Sequence, residues 1–309
     1  MDERHGNPFA REGSWLRCAL HAHTTNSDGQ MPPVELVAHY RLAGFDVLAI
    51  TDHWVRTDVP STDGLLVVPS TELNARVDGA AGDAHVLALG IGADPVAPDG
   101  DFDGLDETVA WVLEQGGVPY IAHTYWSGLR AEDFERCDGL VGLEVYNAGC
   151  ELEVGRGYAE LHWDDVLDRR RPFYAIAVDD SHSPGFDSAF GWVWARCPDR
   201  SAEAVLDALR TGTFYSSTGP EIRSLEVEDA AVEVRCSPAR SVTVVGERRF
   251  GSRVNAGRLG YPVRGRILES TDDGLIVAAR LARPAGPYGR IEVEDAHGRK
   301  AWTNPLWIA

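Results

Sequence analysis

Histidine and acidic side chains gather at the ends of two apolar runs near the beginning of the chain. His21 and His23 end the first run and are two residues apart, so a strand would point both imidazoles to the same side. Two imidazoles on one side of a strand can chelate a metal ion. Asp28 comes five residues later, and a second apolar run, VLAIT, ends in Asp52 and His53. Polar groups at successive strand ends are typical of the active end of an α/β barrel.

The same residue types recur further along the chain. Glu72, His85 and His123 lie at the edges of further apolar runs, and the triplet Asp180-Ser181-His182 follows another. This series resembles the polymerase and histidinol phosphatase (PHP) superfamily of metal-dependent hydrolases. All nine positions at which that superfamily places metal ligands are filled here by a suitable residue, namely His21, His23, Asp28, His53, Glu72, His85, His123, Asp180 and His182.

Four shorter segments resemble the branch of the superfamily that includes carbaryl hydrolase. They are HTYWSG at 123–128, EVYN at 144–147, FYSSTGP at 214–220 and WTNP at 302–305. Together with the metal-ligand positions, the matching segments span most of the chain. They indicate the superfamily far better than they indicate a substrate.

The resemblance implies two or three divalent metal ions, and with three a trinuclear centre. One ion would be held by the four residues His21, His23, Glu72 and Asp180. A second, bound by His85 and His123, would share Glu72, and a third would be bound by Asp28, His53 and His182. Nitrogen and oxygen ligands without sulfur suit zinc, manganese or iron better than calcium or magnesium. A shared carboxylate keeps two ions about 3.5–4 Å apart, where they can share a hydroxide.

The function that this implies is hydrolysis by a metal-bound hydroxide. A bound divalent ion lowers the pKa of water from 15.7 to about 7, which gives a nucleophile at neutral pH. The expected catalytic residues are His21, His23, Glu72, His123 and Asp180, and the leading substrate class is a phosphate ester of a small molecule. Hydrolysis of a carbamate, carboxyl ester or amide is the alternative, and a non-catalytic metal-binding module is a third hypothesis. The residue that protonates the leaving group stays open.

Substrate contacts are expected from loops that follow the ligand-bearing strands. The cations that could hold a phosphate are Arg56, Arg76 and Arg130, and the aromatic residues that could hold an apolar group are Trp54, Tyr125, Trp126 and Phe186. Glu144 and Asn147 fit either a hydrogen-bond network or a substrate contact. Asp52 and Asp179 fit groups that orient a ligand better than ligands themselves.

Charge and composition narrow the range of partners that the protein is expected to bind. The net charge is -19, and residues 1–218 carry 36 acidic and 15 basic side chains, so a long nucleic acid would be repelled. No apolar run is long enough to span a bilayer, and the first residues do not resemble a signal peptide, so we expect a cytoplasmic protein that acts on a small molecule. The five cysteines are widely spaced and form no CxxC pair, which predicts reduced, buried thiols.

The order of apolar patterns predicts two domains. Over residues 1–218, about seven strands alternate mostly with helices, which together with the resemblance predicts a distorted (β/α)7 TIM-like barrel, the PHP metallohydrolase barrel. Residues 65–91 have no room for a crossover helix and predict a hairpin that places His85 beside Glu72. Residues 219–309 show short alternating runs, which predict a small antiparallel β-sandwich domain. This second domain would shape the mouth of the site or mediate self-association into a homo-oligomer.

Overall fold

The structure is a computed structural model that describes residues 7–77, 79–80, 82–95, 102, 104–169, 172–257 and 264–306. Its first part contains seven α-helices and nine strands in the order β1 (Ser14–Ala19), α1 (Pro33–Leu42), β2 (Val47–Ile50), β3 (Leu66–Ala75), β4 (Ala84–Leu89), α2 (Leu105–Glu114), β5 (Val118–Ile121), α3 (Ala131–Phe134), β6 (Gly142–Asn147), α4 (Ala148–Val154), α5 (Glu160–Asp168), β7 (Tyr174–Val178), α6 (Pro184–Asp187), β8 (Trp192–Cys197), α7 (Ala202–Thr211) and β9 (Phe214–Ser217). The later part is built from strands alone in the described residues, namely β10 (Ile222–Val227), β11 (Ala231–Ala239), β12 (Ser241–Gly246), β13 (Gly251–Asn255), β14 (Gly265–Ser270), β15 (Ile276–Ala282), β16 (Gly289–Glu294) and β17 (Lys300–Thr303).

Thirteen strands form one large mixed sheet in the order β13-β12-β16-β17-β9-β8-β1-β2-β3-β4-β5-β6-β7. The predicted mixed α/β architecture is confirmed, but the distorted (β/α)7 barrel is not, because the strands do not close into a barrel. The second edge of β1 is taken by the antiparallel strand β8, so no ladder joins β1 to β7 in the described residues. The ends of these two strands meet through two backbone hydrogen bonds, from His23 N to Ser181 O at 2.9 Å and from Asp180 N to His21 O at 3.1 Å. These bonds bring the candidate ligands after β1 beside those after β7.

The predicted hairpin between residues 65 and 91 is confirmed. Strands β3 and β4 pair antiparallel, with Asn74 opposite His85. Glu72 lies two residues before Asn74, so the pairing places its side chain on the same face as the Asn74–His85 pair. The hairpin thus brings a ligand at the start of β4 beside one near the end of β3.

Apolar strands lie at the centre of the fold. All four residues of β2 and all four of β5 are buried, as expected for strands covered on both faces. Two hydrophobic clusters account for most of this burial, one containing Trp163 and Phe173 and the other containing Leu20 and Val118. This packing holds the strand ends that carry the candidate site.

The C-terminal strands divide between two sheets. Strands β12, β13, β16 and β17 continue the large sheet through the β17–β9 pair, while β10, β11, β15 and β14 form a separate four-stranded sheet. Side chains of both sheets share one hydrophobic cluster, which includes Val234 and Leu281 from the small sheet and Val244 and Ile291 from the large one. The expected self-contained sandwich is not confirmed, and the domain boundary at residue 218 stays a prediction. None of the described helices combines the length and the apolar character needed to cross a membrane.

Candidate metal centre

The structure brings the nine candidate ligands to one end of the sheet. His21 and His23 follow β1 and are fully buried, and Asp180 follows β7. His123, after β5, and Asp180 both have positive φ values, of 26° and 54°. Left-handed backbone is uncommon for residues with a side chain and often marks a functional site.

Four donor atoms form an inner cage. His21 Nε2 lies 3.1 Å from His23 Nε2, 3.0 Å from Glu72 Oε2 and 3.1 Å from Asp180 Oδ1. His23 Nε2 lies 3.2 Å from each of the same two carboxylate oxygens. Five of the six distances among these donors are thus 3.0–3.2 Å, and all four lie within 4.8 Å of one another, close enough to bind one ion with bonds of about 2 Å.

A second group of donors lies toward solvent and contains Asp28, His53 and His182 together with His23. Asp28 Oδ2 lies 3.2 Å from His182 Nε2 and 3.6 Å from His53 Nε2, and Asp28 Oδ1 lies 3.4 Å from His23 Nδ1. The two ring nitrogens of His23 therefore face different groups. All four residues offer donor atoms close enough to surround one ion.

The third group forms around the other oxygen of Glu72. Glu72 Oε1 lies 2.8 Å from His85 Nδ1 and 3.1 Å from His123 Nε2. The donors that lie close enough to share an ion here are His53, Glu72 and His85, so His53 takes part in two groups. His123, which we expected in this group, contacts Glu72 but lies outside that three-residue set.

The donor atoms of the inner cage fit a cation. Asp180 Oδ1 in the cage, and His53 Nδ1 outside it at 3.5 Å from Glu72 Oε2, are buried without a hydrogen-bond partner, which is costly unless a cation satisfies them. Burial by itself would lower the pKa of His21, but the carboxylates of Asp180, Glu72 and Glu144 raise it well above its usual value. Burial would raise the pKa of Glu72, yet the neighbouring His21 and His123 hold it well below. The raised pKa of His21 and the lowered pKa of Glu72 both show that this cluster favours positive charge beside its carboxylates. A divalent ion would supply that charge.

Buried aspartates hold the loops that carry the ligands. Asp52 accepts hydrogen bonds from Thr24 N and Oγ1, both at 2.7 Å, and from Ser27 Oγ at 2.8 Å. Gly29 completes this loop, because a Cβ there would lie 2.4 Å from the backbone of His23. By accepting these bonds from the backbone and hydroxyl groups of Thr24 and Ser27, Asp52 positions the segment that leads to Asp28.

Asp187 and Asp179 hold the loops after β7 in the same way. Asp187 accepts from Ser181 Oγ at 2.6 Å, His182 N at 2.9 Å and Ser183 N at 2.8 Å. Asp179 accepts from Tyr40 and from three backbone N–H groups at residues 189–191. Burial raises the pKa of Asp179 to about 6, although these donors oppose the shift. Sequence reasoning missed Asp187, since no spacing marks a residue that binds the backbone of its own loop.

A cavity of about 490 Å³ opens above the candidate ligands. Its floor includes seven of them, and its wall includes Trp126, Leu152, Glu153 and Phe186. Trp126 Nε1 donates to Glu153 Oε2 at 2.9 Å, which fixes the indole ring beside His123. No arginine or lysine is among the described residues of this lining.

Of the expected substrate contacts, Trp126 and Phe186 line this cavity, and the others lie elsewhere in the described part of the chain. Trp54 stacks on Phe102 with ring centroids 5.6 Å apart, and Arg56 pairs with Asp58 at 2.8 Å. Arg130 is 79% exposed. Tyr125 lies against His162, Arg76 lines a different cavity, and Asn147 is buried beneath the floor.

Comparison with known proteins supports the fold. No protein-family model and no curated protein matches the chain. Among solved structures, a two-domain protein from Bacteroides vulgatus, described as containing a predicted PHP-like metal-dependent phosphoesterase, superposes with a TM-score of 0.56 at 14% identity and covers 95% of both chains. The Chromobacterium violaceum structure, an amidohydrolase with bound sulfate and no metal, gives a TM-score of 0.41 at 17% identity. A candidate metal-dependent phosphoesterase from Bifidobacterium adolescentis gives 0.40 at 18% identity, and each of these two matches covers 55% of this chain and 89% of the other.

The first of these similarities is one of fold, because the sequences are only 14% identical. The description as a PHP-like metal-dependent phosphoesterase belongs to that Bacteroides vulgatus protein. None of the three is a carbaryl hydrolase, so the expected closeness to that branch gains no support.

Proposed function

We propose that this protein is a divalent-metal-dependent hydrolase that uses water to cleave a phosphate ester of a small molecule. The observation that carries the proposal is the inner cage, in which imidazole nitrogens and carboxylate oxygens face one another 3.0–3.2 Å apart inside the protein. The description of the Bacteroides vulgatus neighbour supports the phosphoester class. The cavity has a volume typical of small-molecule sites, which are about 300–1,000 Å³.

Each side chain has a part in this function. His21, His23, Glu72 and Asp180 would hold one ion, and the second oxygen of Glu72 would face another beside His85 and His123. Asp28, His53 and His182 would bind a third. Bound divalent ions supply an activated water and neutralise the charge that develops on the substrate. The donors are nitrogen and oxygen, so we propose two or three ions of zinc, manganese or iron.

A second function is favoured by the wall of the cavity. A phosphatase usually supplies cationic side chains for the phosphate, whereas this lining offers Trp126, Leu152 and Phe186 and no described arginine or lysine. An uncharged carbamate, carboxyl ester or amide would need no such cation. A purely structural metal site is less well supported, because the donors open into a cavity of substrate size.

The test is a hydrolysis panel on metal-replete protein. Its substrates are p-nitrophenyl phosphate, bis(p-nitrophenyl) phosphate, p-nitrophenyl acetate and an aryl carbamate. Asp180→Ala should abolish turnover, while Asp207→Ala, at an exposed position on α7, should not. Turnover of phosphate esters supports the first function, and turnover of the uncharged esters alone supports the second. Failure of every substrate on protein with bound metal would contradict both.

The remaining expectations stay predictions. They are a small-molecule substrate rather than a long nucleic acid or a membrane, a cytoplasmic location and a homo-oligomer.

A further inference from the structure

Strand β6 contains an irregularity beneath the inner cage. Its pairing with β7 places Glu144 opposite Ile176 and Tyr146 opposite Ala177, so one extra residue is inserted between them. In a regular strand, Glu144 and Asn147 would point to opposite faces because they are three residues apart. The bulge resets the alternation, and both side chains enter the same buried space.

Glu144 accepts three hydrogen bonds there. His21 Nδ1 donates to Oε1 at 2.6 Å, and Oε2 accepts from His123 N at 2.7 Å and from Asn147 Nδ2 at 2.8 Å. All of its partners are donors. In a neutral His21, this arrangement keeps the proton on Nδ1 and turns the lone pair of Nε2 toward the cage.

Asn147 connects the same carboxylate to the other side of the cage. Its Nδ2 donates to Glu144 and also, at 3.0 Å, to Asp180 Oδ2, while its Oδ1 accepts from Cys150 N at the start of α4. With Oδ2 engaged, Asp180 presents Oδ1 to His21 and His23. One amide therefore orients a candidate ligand and caps a helix of the cavity wall.

We propose that the buried pair Glu144–Asn147 positions the inner metal site. Glu144 keeps the ring proton of His21 on Nδ1, and Asn147 binds Oδ2 of Asp180 so that Oδ1 faces the cage. This inference rests on the proposed metal site. It assigns the pair no contact with substrate, because both side chains are buried and neither lines the cavity.

The hydrogen-bond pattern predicts that glutamine is a poor substitute at position 144. With its oxygen toward His21, the amide group of Gln would point at the N–H groups of His123 and Asn147. With its oxygen toward those two donors, the amide group would face His21 Nδ1 and move the ring proton to Nε2, inside the cage. Either arrangement opposes metal binding while the shape of the side chain is kept.

The first experiment measures zinc affinity by competition with a chelator. We expect Glu144→Gln to weaken binding by about 10- to 100-fold, as is usual when the partner of a ligating histidine is lost. The matched control, Glu203→Gln, changes a side chain that is 80% exposed on α7 and should leave affinity unchanged. Histidine ¹⁵N spectra of the zinc-loaded protein should place the proton of His21 on Nδ1 in the wild type. Affinity within twofold of wild type, with that proton unmoved in Glu144→Gln, would overturn the proposal.

Asn147 provides the second experiment if Glu144→Gln does not fold. Serine can still cap α4 but cannot reach Glu144 and Asp180 together. Weaker zinc binding in both Asn147→Ser and Asn147→Ala supports the proposal, whereas wild-type affinity in Asn147→Ser would reduce the role of Asn147 to capping and contradict it.

The proposed function and the proposed role of Glu144–Asn147 can be contradicted by different results. Wild-type protein that binds zinc but hydrolyses nothing would contradict the proposed function, and the ratio of affinities would still decide this inference. Wild-type protein that binds no divalent ion would contradict both.

Discussion

Replacing Arg290 with methionine is expected to destabilise the protein by about 3 kcal/mol. Arg290 belongs to β16 in the C-terminal part, is 1% exposed, and donates to Asp164 of α5 at 2.7 and 3.0 Å. Its guanidinium also pairs with Glu292 and lies 4.5 Å from the ring of Trp163. The C-terminal strands are therefore attached to the first part by a buried ion pair as well as by the β17–β9 ladder.

The magnitude follows from the burial of the partners. Removing one member of a buried ion pair costs about 3–5 kcal/mol, because the other charge is left without compensation. Asp164 and Glu292 retain side-chain exposures of 33% and 17%, so water can hydrate part of their charge and the lower end applies. At roughly 2 °C per kcal/mol for a chain of this size, the melting temperature should fall by about 6 °C.

Urea and thermal unfolding of the metal-replete protein measure this loss. The control is Arg235→Met, because Arg235 pairs with Glu269 at 2.9 Å but both side chains are more than half exposed. An exposed pair of this kind contributes less than about 1 kcal/mol. Equal losses in the two variants would refute the argument that burial of the Arg290 pair attaches the C-terminal strands.

Three further predictions concern the site. Asp187→Asn should weaken metal binding at the second group of donors, which contains His182, while sparing the inner cage. Metal analysis should therefore find fewer ions per chain, and an unchanged metal content would contradict the role given to Asp187. In chelator-treated protein, the pKa of His23 is raised to about 9 by Asp180 and Glu72 against the opposing effect of burial. The resulting stability should be complete below about pH 6.5 and lost as the pH rises through 9; urea midpoints that do not fall over this range would contradict it. Phe186 is 67% exposed on the cavity wall, so Phe186→Ser should raise KM for substrates with an apolar substituent and leave KM for small substrates unchanged; equal changes for both would show that the ring does not bind substrate.

Local pattern and the family resemblance together pointed to the candidate ligands. The two-residue spacing of His21 and His23 depends only on the alternation of a strand, which is set by backbone geometry. The β3–β4 hairpin followed from a connection too short for a helix, and it placed His85 beside Glu72. The change to short alternating runs after residue 219 likewise predicted that the C-terminal part is made of strands.

Long-range pairing decided what the pattern could not. A run such as β8 has the same alternation whether its partner is parallel or antiparallel, so the sequence does not say that it pairs with β1 and keeps the barrel open. The same limit applies to the cavity wall. Trp54 and Trp126 both follow candidate ligands, but packing turns the first against Phe102 and leaves the second in the cavity.

The inner cage shows most clearly which features follow from the sequence and which follow from the tertiary structure. The sequence by itself determined that imidazole and carboxylate groups stand at the ends of apolar strands, because residue type and spacing are local properties. Only the tertiary structure decided that Glu144 and Asn147 lie together beneath them, because a bulge in β6 reverses the face that one of them would otherwise occupy. A bulge is fixed by the register between two strands, and register is a property of the pair rather than of either sequence segment.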